Sequence, residues 1–218
     1  MPAKVIPIEH YGIEKAFGLC KDVVVSGGTV VYPTETFYAI GADPRNRAAV
    51  KRLLEIKQRG KGKPILLLIP AAGHVNEWAA EVTEEARRLI QIFWPGPLTI
   101  VFKARGGVLP ELTAGTGNIG LRVSGSEVAR SLVSYLGIPL TGTSANISGG
   151  GGLVTAAEAA EVLAGRVDLI LDGGRTPGGP ASTVIDTSSG MPRLIREGAV
   201  PVGEVKKILP EIVIASED

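Results

Sequence analysis

Four cations crowd one short run of this chain: Lys57, Arg59, Lys61 and Lys63, in IKQRGKGKP at 56–64. Gly60 and Gly62 alternate with them and leave the backbone free to approach a ligand closely. A concentrated positive patch in a near-neutral chain suits an anion; the plainer alternative is a solvated basic loop. Pro33 leads into Thr34, Glu35 and Thr36, two hydroxyls and a carboxylate that could hydrogen-bond a small polar substrate or simply form a polar turn. In TSANISG, Ser144 and Asn146 set short hydroxyl and amide groups beside glycine-rich backbone, which can hold a phosphate or a ribose. Arg122 in IGLRV and Arg196 in RLIRE lie inside otherwise apolar runs. A guanidinium there is costly unless paired. Each therefore either meets a carboxylate of the protein or receives an external carboxylate or phosphate in bidentate fashion. Ser182 and Thr183 close a further small-residue loop, GGPAST.

Several chemistries are excluded. His10 and His74 lie outside all these segments, so no Ser-His-Asp or Cys-His arrangement is credible. The single cysteine, Cys20, permits no intrachain disulfide and sits in an amphipathic run, as a small buried apolar residue would. With the two histidines it gives no zinc spacing. Neither the P-loop nor the G-x-G-x-x-G fingerprint is present. The remaining picture is a cationic, hydroxyl-lined, glycine-edged hollow that handles phosphates by positioning and charge neutralisation. With 23 basic and 22 acidic side chains, the formal net charge of +1 excludes indiscriminate coating of nucleic acid. The N-terminus lacks the apolar run of a signal peptide, and no run reaches membrane-spanning length; a soluble, cytoplasmic protein is expected.

The elements that must position these residues follow from periodicity. Residues 1–10 read as a tail or edge strand and 12–21 as a short helix. Residues 29–33, TVVYP, are β-branched and aromatic, hence a strand, and the 34–38 segment leaves its carboxyl end, where open α/β sheets bind ligands. Asn46 caps a helix running to about Arg59, with Val50, Leu53, Leu54 and Lys57 on one face. Lys57 then continues the buried stripe with its stem covered and its amine left free. Residues 65–69 and 98–102 are apolar strands, and Thr83 caps a helix between them. Residues 103–118 read as loop and 119–123 as a strand. Ser124 and Glu127 fit a capping box for a helix to Gly137, and Thr155 and Glu158 fit a second one. Strands follow at 139–143, 168–172, 183–187 and 193–196. This alternation predicts an α/β protein: one domain with a large twisted mixed sheet, largely parallel, flanked by helices, with antiparallel additions at the end.

The segments GGTVVYPTETFYAIGA, KQR…KPILLLI, WPGPLTIVF, IGLRV, TSANISG, GGPASTVID and LIREG, in that order, make the chain resemble the YrdC/TsaC family of threonylcarbamoyl-AMP synthases. The most specific part is Lys57-x-Arg59 with Ser144-x-Asn146. The resemblance implies a YrdC-like catalytic domain at 13–201 with a C-terminal tail at 202–218. It implies a nucleotidyltransferase that joins L-threonine, bicarbonate and ATP into threonylcarbamoyl-AMP and pyrophosphate. That product would pass to the transferase machinery for tRNA threonylcarbamoyladenosine. Carried over residue by residue, Lys57 and Arg59 are catalytic. Arg59, Lys63, Asn118, Ser144, Asn146 and Arg196 hold ATP, and Thr36, Arg122 and Ser182 hold threonine. Mg2+ would arrive with ATP, because no acidic cluster lies near the basic run. The same hollow could instead grip tRNA or double-stranded RNA without catalysis, and a paralogue that keeps the fold alone is a third option.

Departures from the family pattern accompany the match. Gly60 stands where many relatives have proline, so a looser loop is expected. Leu68 stands where some have histidine. The glycines at 149–152 replace a more polar segment. The further C-terminal domain of longer relatives is not expected after the catalytic domain.

Overall fold

A computed structural model describes residues 3–58, 64–146 and 150–214. In chain order it runs β1 (Lys4–Pro7), α1 (Ile8–Tyr11), α2 (Ile13–Val25), β2 (Val30–Pro33), β3 (Tyr38–Gly41), α3 (Arg47–Lys57) and β4 (Leu66–Leu68). A 3-10 turn at Ala72–Glu77 leads to α4 (Glu84–Phe93), β5 (Leu98–Lys103), α5 (Pro110–Thr113), β6 (Asn118–Arg122), α6 (Glu127–Leu136), β7 (Leu140–Thr141) and β8 (Thr143–Ser144). The chain continues through α7 (Ala156–Val162), β9 (Leu169–Asp172), β10 (Thr183–Asp186), β11 (Arg193–Arg196), α8 (Val202–Ile208) and β12 (Val213–Ile214).

The mixed α/β class is as expected, but the strands form two sheets rather than one. Their orders are β1-β9-β2-β3-β8 and β12-β11-β10-β5-β6-β4-β7. Among the described residues five strand pairings are parallel and five antiparallel, so the sheets are evenly mixed rather than largely parallel. The reason is local. Pro33 is followed by a short loop that returns β3 antiparallel to β2, and β5 and β6 likewise pair antiparallel. The β2–β3 connection, residues 34–37, is too short for a parallel crossover.

The two sheets are stitched by one strand region. β7 pairs with β4 in the larger sheet, and β8 pairs with β3 in the smaller. Gly142 stands between them and donates its N–H to Leu66 O. A Cβ there would lie 2.9 Å from Leu68 Cγ, so the chain can change sheets only because this residue has no side chain. Alternation along β2 divides the core. Val31 joins Tyr38, Ile40, Leu67, Ile100, Leu121 and Ile185 in one cluster. Val30 and Tyr32 face the other way, onto Phe17, Cys20, Leu132 and Leu136 from α2 and α6.

The helix caps expected from the sequence form with one exception. Asn46 accepts from Ala48 N and Ala49 N, and Thr83 accepts from Ala86 N. Thr155 and Glu158 form the expected reciprocal box. α6, however, begins at Ser126, whose hydroxyl accepts from Ala129 N. Ser124 is not its cap, because its hydroxyl is committed to Glu35. The 103–118 segment is not all loop: Lys103 ends β5, α5 forms one turn and Asn118 opens β6. The segment expected as a C-terminal tail contributes α8 and β12, with Val205, Leu209 and Ile212 in the core.

Candidate active site

The site is built mostly on one face of the larger sheet. Register aligns Leu66, Gly120, Val101 and Asp186 in one row across β4, β6, β5 and β10. A neighbouring row aligns Thr99, Val184 and Arg196 across β5, β10 and β11. Arg122 lies two residues along β6 from Gly120 and so shares its face. The smaller sheet closes the opposite side with Thr34, Thr36, Phe37 and Tyr38 from the β2–β3 connection, and with Thr143 and Ser144 from β8. The cavity between them has a volume of about 440 Å³ and is lined by these residues with Asn118 and Ser182.

The guanidinium groups are held differently. Arg122 is buried, and its Nε lies 3.5 Å from Glu35 Oε1. Neither atom has a hydrogen-bond partner, so the contact is an ion pair without an aligned hydrogen bond. Ser124 Oγ donates to the other carboxylate oxygen, Glu35 Oε2. Burial by itself would raise the Glu35 carboxyl, but the Arg122 charge, the Ser124 hydroxyl and the N–H groups of Glu35 and Gly125 together hold it below the ordinary range. Arg196 donates from Nε and Nη2 to Ser182 O at 3.2 and 2.7 Å, and from Nη2 to Ser182 Oγ at 3.3 Å. Among the described residues no carboxylate lies within ion-pair distance of it. Burial, and then the charge of Arg122, lower its pKa. Ser182 Oγ also contacts Thr99 Oγ1 at 3.0 Å.

A second knot adjoins the cavity at Ser144. Lys57, at the last turn of α3, is buried. Its Nζ donates to Ser144 O at 2.6 Å, to Asn146 Oδ1 at 2.6 Å and to Asn146 O. Ser144 Oγ donates to the same Asn146 Oδ1 at 2.7 Å, and Asn146 Nδ2 donates to Gly150 O. The expected free amine is therefore engaged, because the buried stripe that carries the stem aims its tip at backbone oxygens of the Ser144 turn. Phe37 is seated by a bare backbone: a Cβ on Gly152 would fall 2.3 Å from Phe37 Cδ1.

Of the residues singled out from sequence, Thr36, Asn118, Arg122, Ser144, Ser182 and Arg196 meet on the one cavity. Lys57 and Asn146 join it through Ser144. Arg59 and Lys63 lie outside the described residues, as do Gly60, Lys61, Gly62 and Gly149. Sequence reasoning gave no site role to Thr99 or Asp186, and Glu35, read there as a possible substrate contact, instead pairs with Arg122 and Ser124 and does not line the cavity. Thr99 and Asp186 were legible as lone polar residues at alternating positions in the apolar strands LTIVFK and TVID. No group of three or more His, Cys, Asp or Glu side chains arranged to hold a metal ion occurs among the described residues. Cys20 is buried among apolar residues, its thiol pushed up to about 12 by burial, and serves as no nucleophile.

Two mixed sheets closing on a recessed cavity of guanidinium and hydroxyl groups define an α/β protein shaped to hold small anionic molecules. The chain belongs to the Sua5/YciO/YrdC family, whose profile, described as "Telomere recombination", matches residues 22–198. It is 37% identical over 207 residues to threonylcarbamoyl-AMP synthase of Pyrococcus abyssi, covering 95% of this chain and 60% of that protein. It is 33% identical over 184 residues to threonylcarbamoyl-AMP synthase of Bacillus subtilis, covering 84% of this chain and 53% of that one. Its fold superposes on the crystal structure of P. abyssi Sua5 complexed with L-threonine with a TM-score of 0.91 and 34% identity, covering 99% of this chain and 63% of that chain. The chain thus spans between half and two thirds of the length of these relatives. No helix among the described residues is long and apolar enough to cross a membrane.

Proposed function

We propose that this chain is a nucleotidyltransferase that condenses L-threonine, bicarbonate and ATP into threonylcarbamoyl-AMP, releasing pyrophosphate. The observation that carries the reading is the meeting of Arg122, Arg196 and the hydroxyls of Thr36, Ser144 and Ser182 on one cavity. The relatives named for this activity, and the related fold solved with L-threonine, support it.

The chemistry fits those groups. The threonine amine adds to the carbon of bicarbonate-derived CO2 and loses a proton to give a carbamate. A carbamate oxygen then attacks the α-phosphorus, and the bond to pyrophosphate breaks. Both reactants are anions, so the protein's task is to place them together and offset their repulsion. In this reading Arg122 takes the threonine carboxylate, with Thr36 and Ser182 at its polar groups. Arg196, Asn118, Ser144 and Asn146 receive the nucleotide, and Lys57 holds the Ser144 turn in place. Arg59 and Lys63 are assigned to the phosphates on the family pattern. Mg2+ enters as part of the ATP substrate. Among the described residues that line the cavity the one carboxylate, Asp186, suits an ion carried by phosphates and water rather than a dedicated protein cage.

The product would be consumed by a transferase that modifies tRNA adenosine, and a cytoplasmic setting follows from that use. The alternative of a non-catalytic RNA-binding module gains no support, since the named relatives are enzymes. The test is pyrophosphate release from ATP with threonine and bicarbonate, each omitted in turn. Release should require all three; release that ignores threonine would sink the proposal.

A further inference from the structure

Arg122 and Arg196 share one cavity, yet only one carries a countercharge. The Nε edge of Arg122 is turned to Glu35 Oε1 at 3.5 Å, while among the described residues Arg196 is bonded only to neutral oxygens of Ser182. Glu35 is fixed from behind by Ser124 and does not itself line the cavity. It sits on the connection after Pro33, beside the buried contact of Thr34 Oγ1 with Thr36 Oγ1 at 3.3 Å. The carboxylate is thus built in beside Arg122, the buried guanidinium of the two, whereas Arg196 is exposed.

That asymmetry matters if the cavity must hold a carboxylate and a polyphosphate at once. Two bare guanidinium groups would both favour the more highly charged anion, and phosphate would occupy the amino-acid position. Paired with Glu35, Arg122 keeps its bidentate hydrogen-bonding geometry but presents a smaller net charge to an incoming anion than a bare guanidinium would. It therefore binds a singly charged carboxylate by shape and loses its preference for a dianion. Arg196, without such a partner, keeps that preference.

We propose that Glu35 is a specificity-determining residue that reserves the Arg122 position for the carboxylate of an amino acid and turns multiply charged phosphates away from it. This rests on the synthase reading above and adds to it what sorts the two anions.

Inorganic sulfate is the probe, as a compact dianion, in pyrophosphate-release kinetics of the whole protein at saturating bicarbonate. In the wild type, sulfate should compete with ATP and leave the KM for threonine nearly unchanged. In Glu35→Gln, sulfate should become competitive with threonine, with an inhibition constant against threonine lower by roughly tenfold or more. Glu35→Asp, which keeps the charge, should resemble the wild type in this respect, whereas a purely structural role would make Asp and Gln behave alike. Glu35→Met keeps the side-chain volume without the charge and carries the same test if the glutamine variant does not fold. Equal sulfate inhibition against threonine in the wild type and the neutral variants overturns the sorting role alone. Wild-type release that does not depend on threonine overturns the synthase reading and this one with it.

Discussion

A buried lysine and a buried arginine stand at the centre of this protein, and each has a partner that predicts what its removal does. Lys57 satisfies two backbone oxygens and one amide oxygen of the Ser144–Asn146 turn. Lys57→Met should leave those acceptors short of a donor, costing about 1–3 kcal/mol in stability by urea denaturation. Because Lys57 holds the Ser144 turn, the same variant should raise the KM for ATP in the pyrophosphate assay. Arg122→Met leaves the Glu35 carboxylate buried without its ion, an arrangement that costs about 3–5 kcal/mol. Pairing it with Glu35→Gln should return part of that loss. The double variant should be more stable than the sum of the singles predicts, by about 1–3 kcal/mol in a denaturation cycle. Additive losses would mean that the 3.5 Å contact carries no coupling.

At the scale of elements, the site depends on a strand that belongs to two sheets. β7 and β8 are two residues each, and Gly142 between them leaves no room for a side chain against Leu68. Gly142→Ala should force Leu68 or the strand to move, at about 1–3 kcal/mol. Because Ser144 lies two residues further on, the same substitution should raise the KM for ATP, which steady-state kinetics at varied ATP reads. Helix α3 offers a milder control. Asn46→Ala removes the side-chain acceptor for Ala48 N and Ala49 N and should cost about 1 kcal/mol. The cap lies at the far end of the helix from Lys57, so its loss should leave the kinetics of the folded protein unchanged.

For the whole molecule, two carboxylates tie distant parts of the chain together and predict its response to acid. Asp168, just before β9, accepts from Arg52 of α3 at 2.7 and 2.9 Å and from Thr29 N at 2.8 Å. Burial acts to raise its pKa, but Arg52 and Thr29 bring it below the ordinary value. Glu35, facing Arg122 and Ser124, is lowered in the same net sense. A folded pKa below the unfolded one gives stability that is complete above the unfolded value, about 4 for carboxylates, and lost as pH falls through the lower folded value. The urea midpoint should therefore be flat from neutral pH to about 5 and fall below about 4. Asp168→Asn and Glu35→Gln should each flatten that acid limb.

The sequence by itself determined what depends on neighbours along the chain. Asn46, Thr83 and Thr155 cap helices because a short polar side chain meets nearby N–H groups wherever the fold places the helix. The β-branched run before Pro33 made a strand, and two arginines inside apolar strands advertised a need for anions. The Ser124 box failed for the complementary reason. A hydroxyl can cap a helix or serve a carboxylate remote in sequence, and only the tertiary structure showed Glu35 taking it. The same holds for the division into two sheets, for Lys57 closing on the Ser144 turn, and for the unequal partners of Arg122 and Arg196. Those features arise from register and packing between segments that are not neighbours along the chain, 14 residues apart for Arg196 and Ser182 and 87 for Lys57 and Ser144. Local periodicity carries no information about which distant oxygen a buried charge will meet.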